Sequence, residues 1–116
     1  MTENYFSYNS LGFTIKSNPK NIAVEWSAIE CILAYKLDRL TVDDCCLDIY
    51  TLAGKITHIE EDIPGFWKFV DELLKRYSSD PDLYEKLVKP PFAFNLTLVY
   101  DAHGRSLEEI IRIYGL

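Results

Sequence analysis

The hydrophobic pattern of this chain first changes period at Asp62. Before Asp62, apolar residues alternate with polar ones, the two-residue period of half-buried strands. After it, they recur at the three-to-four-residue spacing of an amphipathic helix. Several short strands followed by a long helix point to an α+β fold, with helices laid on an antiparallel sheet.

The strands read as follows. Phe13 and Ile15 alternate, and Ser17-Asn18-Pro19 supplies a turn. Ile22, Val24 and Trp26 alternate next. A third run puts Ile29, Cys31, Leu33, Tyr35 and Leu37 on one face and Glu30, Ile32, Ala34, Lys36 and Asp38 on the other. After a polar break, Cys45, Leu47 and Ile49 alternate with Cys46, Asp48 and Tyr50. Ala53-Gly54-Lys55 signals a hairpin, and Ile56 to Glu60 returns as its partner strand. Connections this short leave no room for crossover helices, so the strands form an antiparallel meander.

Asp62 can cap a helix with Pro64 in its first turn, and Phe66, Phe69, Val70, Leu73 and Tyr77 form its apolar stripe. Trp67 and Leu74 widen that stripe. A short helix, Asp82 to Val88, stops at Lys89-Pro90-Pro91. Phe92 to Tyr100 supplies a sixth strand, with Phe94, Leu96, Leu98 and Tyr100 on one face. Asp101 to Gly104 turns the chain, and Ser106 to Glu109 has capping-box spacing for a last helix ending near Tyr114. The expected fold is one domain over residues 1–116: about six strands in one meander sheet, covered by one long helix and two short ones.

Charge adds a second constraint. The net charge is −6, and residues 38–62 carry −5 of it. That segment holds Asp38, Asp43, Asp44, Asp48, Glu60, Glu61 and Asp62 against Arg39 and Lys55. Such a field repels nucleic acid and anionic membrane and attracts a basic partner. A solvated face that keeps the protein soluble is the plainer account of the same charge. Met1 to Ser10 lacks the basic and apolar regions of an export signal, so a cytoplasmic location is expected. Cys31, Cys45 and Cys46 fit that expectation as buried or half-buried thiols.

No sequence motif carries chemistry. The five glycines form no phosphate loop, and the cysteines lack CxxC spacing and nearby histidines. Glu60, Glu61 and Asp62 with Asp43 and Asp44 lack the spacing of a calcium loop. His58 falls in a strand and His103 in a turn. No catalytic residue, cofactor or metal is therefore expected. An enzyme would need one of those histidines in a pocket beside a cysteine or carboxylate.

One stretch carries a likeness. It runs from Trp26-Ser27-Ala28-Ile29 through Ile32 and Ala34-Tyr35-Lys36-Leu37-Asp38 to Thr41-Val42-Asp43 and Cys46-Leu47-Asp48-Ile49. It continues with Glu60-Glu61, Pro64-Gly65-Phe66, Lys89-Pro90-Pro91-Phe92 and Asn95-Leu96-Thr97. This order resembles a family of small bacterial proteins of uncharacterised biochemistry, associated with immunity proteins that neutralise polymorphic or contact-delivered toxins. Strands followed by a long helix also look pleckstrin-homology-like. The resemblance implies a non-enzymatic protein that blocks a toxin domain, such as a basic nuclease, by direct contact. On that reading Asp38, Asp43, Asp44, Asp48, Glu60, Glu61 and Asp62 face the partner. The alternative is a pleckstrin-homology-like interaction module with a peptide or regulatory partner.

Overall fold

The structure, a computed structural model, describes residues 5–17, 19–38, 43–78, 81–88 and 96–116. It is α+β, as the period change implies, but the strands form two sheets. A three-stranded antiparallel sheet joins β1 (Phe6–Tyr8), β2 (Gly12–Ile15) and β3 (Ile22–Glu25) in that order. A four-stranded antiparallel sheet holds β4 (Ile29–Asp38), β5 (Asp43–Thr51), β6 (Ile56–Glu60) and β7 (Thr97–Asp101), ordered β6-β5-β4-β7. The helices are α1 (Phe66–Tyr77), α2 (Leu83–Val88) and α3 (Leu107–Tyr114). No helix among the described residues is long and apolar enough to cross a membrane.

The expected six-stranded meander under one long helix is therefore corrected. It breaks at Trp26–Ala28, a short 3-10 turn between β3 and β4 that takes the chain from one sheet to the other. The N-terminal strand β1 was not expected, because three residues, Phe6-Ser7-Tyr8, carry too short an alternation to stand out. Of the expected sixth strand, Phe92 and Phe94 lie outside the described residues.

The main core lies between the two sheets and α1. Phe69 of α1 stacks on Phe6 at 4.6 Å between ring centroids and meets Phe13 edge-on at 4.7 Å. Ile32, Ala34, Leu47, Ile49 and Ile59 of the larger sheet close the same cluster. Burying an aromatic or aliphatic side chain of this size stabilises by roughly 1.5–3 kcal/mol. The helix starts later than its sequence suggests. Gly65, at φ 91°, is its N-cap, so Asp62 and Pro64 belong to the preceding turn and not to its first turn.

A second, smaller core lies on the other face of the four-stranded sheet. Cys31, Leu33, Tyr50 and Ile110 are buried there, with Leu96, Leu98, Leu107 and Tyr114 packed around them. Two bulges set which residues reach which face. One leaves Glu30 without a partner in β5, since Ile29 pairs with Thr51 and Cys31 with Tyr50. Ile29 consequently joins Ile32 in the main core instead of sharing a face with Cys31. The other places Val99 between Leu98, opposite Leu33, and Tyr100, opposite Ile32. Leu98 then faces α3 while Val99 and Tyr100 face α1.

The helix α3 is fixed at its N-terminal end. Ser106 and Glu109 form the expected capping box. Arg105 donates to both oxygens of Asp101, with Nη2 at 2.7 Å from Oδ1, and to the Tyr114 hydroxyl at 3.2 Å. Burial works against the Asp101 charge, but the Arg105 hydrogen bonds outweigh it and hold this carboxyl below its ordinary value. A depressed acid stabilises the fold above its unfolded pKa and stops doing so as pH falls through the folded one. Asp101→Asn is therefore expected to cost about 2 kcal/mol at neutral pH. Urea denaturation at a series of pH values below about 4 should show the two proteins converging.

Gly12 is set directly opposite Glu25, and a Cβ on it would lie 2.0 Å from the Val24 carbonyl oxygen. That contact is with backbone and no side-chain rotation relieves it. Gly12→Ala is expected to destabilise by about 2–3 kcal/mol, read from the denaturation midpoint.

Candidate functional site

The hairpin β5–β6 is symmetric about Ala53, so Asp48 stands opposite His58 and Cys46 opposite Glu60. Cross-strand neighbours on one face lie about 5 Å apart at Cβ. The four side chains thus form a two-by-two patch on the face that α3 covers elsewhere. Tyr35 of β4, opposite Cys46, completes it.

The patch is a connected polar network. His58 Nδ1 lies 2.6 Å from Asp48 Oδ1, and His58 Nε2 lies 3.3 Å from Glu60 Oε2. The Tyr35 hydroxyl donates to Asp48 Oδ1 at 3.2 Å and lies 3.2 Å from His58 Nδ1. Burial, reinforced by Asp48, raises the Tyr35 hydroxyl far above its ordinary pKa, so it is a donor at any physiological pH. The Cys46 side chain is fully buried at the floor, whereas those of His58 and Glu60 are 40% and 33% exposed at the rim.

Beside the patch lies an apolar groove of about 500 Å³, lined by Leu33, Leu96, Ile111 and Leu116 with Tyr35 and Asp48 at its polar edge. Grooves of this size, mostly apolar with a few convergent polar groups, are typical ligand sites.

The acidic segment converges on the same region. The ladder runs one bond beyond β6, where Glu61 N–H donates to the Cys45 carbonyl. That brings Glu60, Glu61 and exposed Asp62 beside the start of β5, where Asp43 and Asp44 lie. Asp38 pairs with Asp43 at the far end of β4, and both are described in backbone only. Six of the seven acids therefore meet at one end of the sheet, with Asp48 further in, within the polar network. Glu61 has a structural task, since its Oε1 accepts from Cys45 N–H at 2.6 Å.

Lys36, expected on the face of Asp38, points into the protein. It is 7% exposed, and its Nζ lies 6.0 Å over the Trp67 ring. His103, expected in a turn, is there and pairs through Nε2 with Glu30 Oε2, the residue of the β4 bulge.

The arrangement of His58 with Cys46, Asp48 and Glu60 is not visible as a sequence motif. Its one sequence signal is the register that follows from the turn at Ala53. Chemically, Asp48 fixes the orientation of the His58 ring through Nδ1, which leaves Nε2 facing Glu60. A catalytic triad would need a nucleophile reachable by substrate at Nε2, and the only thiol nearby, Cys46, is sealed from solvent. No known protein family, curated protein or solved structure matches the chain.

Thiol chemistry should follow burial. It pushes Cys31 up to about 12 and Cys45 up to about 11, and Cys46 is equally inaccessible. A disulfide reagent such as DTNB is expected to leave the folded protein unmodified at pH 8 and to titrate all three thiols once urea is added. Rapid modification of the folded chain would contradict the structure.

Proposed function

We propose that this is a non-enzymatic binding protein of the immunity type, which neutralises a basic toxin domain by seating it on the acidic end of the four-stranded sheet. One observation carries the reading. Acids separated by up to two dozen residues in sequence converge where β5 begins and β6 ends, next to an apolar groove. Clustered like charges oppose folding, so the arrangement is costly unless an opposite charge meets it. An acidic rim beside apolar surface gives a partner both steering and burial.

Of the seven acids, Asp43, Asp44 and Asp62 are assigned to the partner, and Asp38 extends the same end. Asp48, Glu60 and Glu61 serve the protein itself, the first two in the His58 network and the third on Cys45. A cytoplasmic site of action follows from the same reading.

The test uses the basic toxin domain that this reading expects to be encoded beside the gene. The triple variant Asp43→Ser, Asp44→Ser, Asp62→Ser should associate about 10–100-fold more slowly in low salt and lose most of the salt dependence of the rate. Unchanged rates and intact protection of cells would overturn the assignment, as would a gene neighbourhood without a toxin.

A further inference from the structure

Where the acidic end meets the polar network, the described residues hold one group of side chains with the composition of a metal centre. Cys46, His58 and Glu60 each offer one ligand atom, and these three atoms lie within 4.8 Å of one another. We infer that they form a zinc-binding site, with Asp48 holding His58 in place from behind.

The geometry supports each part. Zinc bonds to sulfur at about 2.3 Å and to nitrogen or oxygen at about 2.0–2.2 Å, which sets ligand atoms about 3.3–3.6 Å apart around a tetrahedral ion. His58 Nε2 and Glu60 Oε2 are already at 3.3 Å. Closing the remaining separations takes side-chain shifts of about 1 Å, because 4.8 Å is the upper bound on any of them. The backbone is already fixed, since all three residues sit in the paired strands β5 and β6.

The outer partner of the histidine is the second argument. A zinc-ligating histidine usually gives its other ring nitrogen to a carboxylate, which sets the tautomer and the ring orientation. His58 has this arrangement: Nδ1 against Asp48 and Nε2 toward Glu60. The Tyr35 hydroxyl in turn donates to Asp48.

The ligand set decides the metal. A thiolate excludes calcium and magnesium, which take oxygen ligands only. Thiolate, imidazole and carboxylate together suit zinc, with water in a fourth position at the exposed rim. On binding, the Cys46 thiol loses its proton, which reaches solvent by way of the Glu60 carboxylate at the rim. The thiolate and the Glu60 carboxylate then balance the two charges of the ion. This site stands apart from the toxin reading, because the isolated chain is enough to test it.

Cobalt(II) is the probe, added to the reduced protein under argon. A near-ultraviolet thiolate-to-cobalt absorption should appear, saturate at one equivalent and vanish when zinc is added. Cys31→Ser and Cys45→Ser should keep it, and Cys46→Ser should lose it. Asp48→Asn should weaken zinc binding about 10–100-fold against a chromogenic chelator, without changing the circular dichroism. Should Cys46→Ser fail to fold, Glu60→Gln and His58→Asn at the exposed rim decide the matter, each with at least about tenfold weaker zinc binding expected. No cobalt absorption in the wild-type protein, or zinc binding unaffected by the rim variants, would overturn the proposal.

Discussion

Strand β4 buries four residues in succession, Cys31, Ile32, Leu33 and Ala34. Successive side chains of a strand point to opposite faces, so this run cannot be satisfied by covering one side. The four-stranded sheet must be roofed on both. One face receives α1 together with the whole three-stranded sheet. Among the described residues, the helix on the other face is α3, eight residues long, a rod of about 12 Å at 1.5 Å per residue. Strands about 4.8 Å apart make that face wider than a single short helix covers. The helix sits over Cys31, Leu33, Tyr50 and Leu98, and the part of the face around Tyr35, Cys46, Asp48 and His58 is left for polar chemistry. The candidate site lies on the part of this face that α3 does not reach.

Much of this was legible in the residues. The capping box at Ser106 and Glu109, the apolar stripe of α1 and the pairing of β5 with β6 are local features, and local features leave marks in sequence. The division into two sheets is not local. It depends on a three-residue turn at Trp26–Ala28, and nothing in those residues distinguishes a turn within a sheet from a step between sheets. The bulges at Glu30 and Val99 are hidden for a related reason. One extra residue reverses the faces of everything beyond it while the composition of the strand stays the same. The Cys46–His58–Glu60 group falls between these cases. Its members are twelve and fourteen residues apart and form no motif, yet the hairpin turn at Ala53 alone places Cys46 against Glu60.

The acidic residues have two distinct situations. Asp48 and Glu61 are held by named partners, and their charges are spent inside the protein. Asp62 is exposed, and it shares one end of the sheet with the paired positions Asp38 and Asp43. Like charges set opposite one another across strands oppose pairing. The fold accepts that cost at strand ends, where water screens it best, and compensates with the aromatic core on the far side of the sheet.

That core has a bearing on the order in which the molecule assembles. The rings on which the small sheet rests, Phe6 and Phe13, pack on Phe69, roughly sixty residues later in the chain. Three strands of three or four residues cannot hold together alone. Closing so long a loop costs entropy before any contact returns it. The N-terminal sheet is thus expected to be the last layer laid down, after α1 has settled on the larger sheet, and the first to lift when the protein begins to unfold.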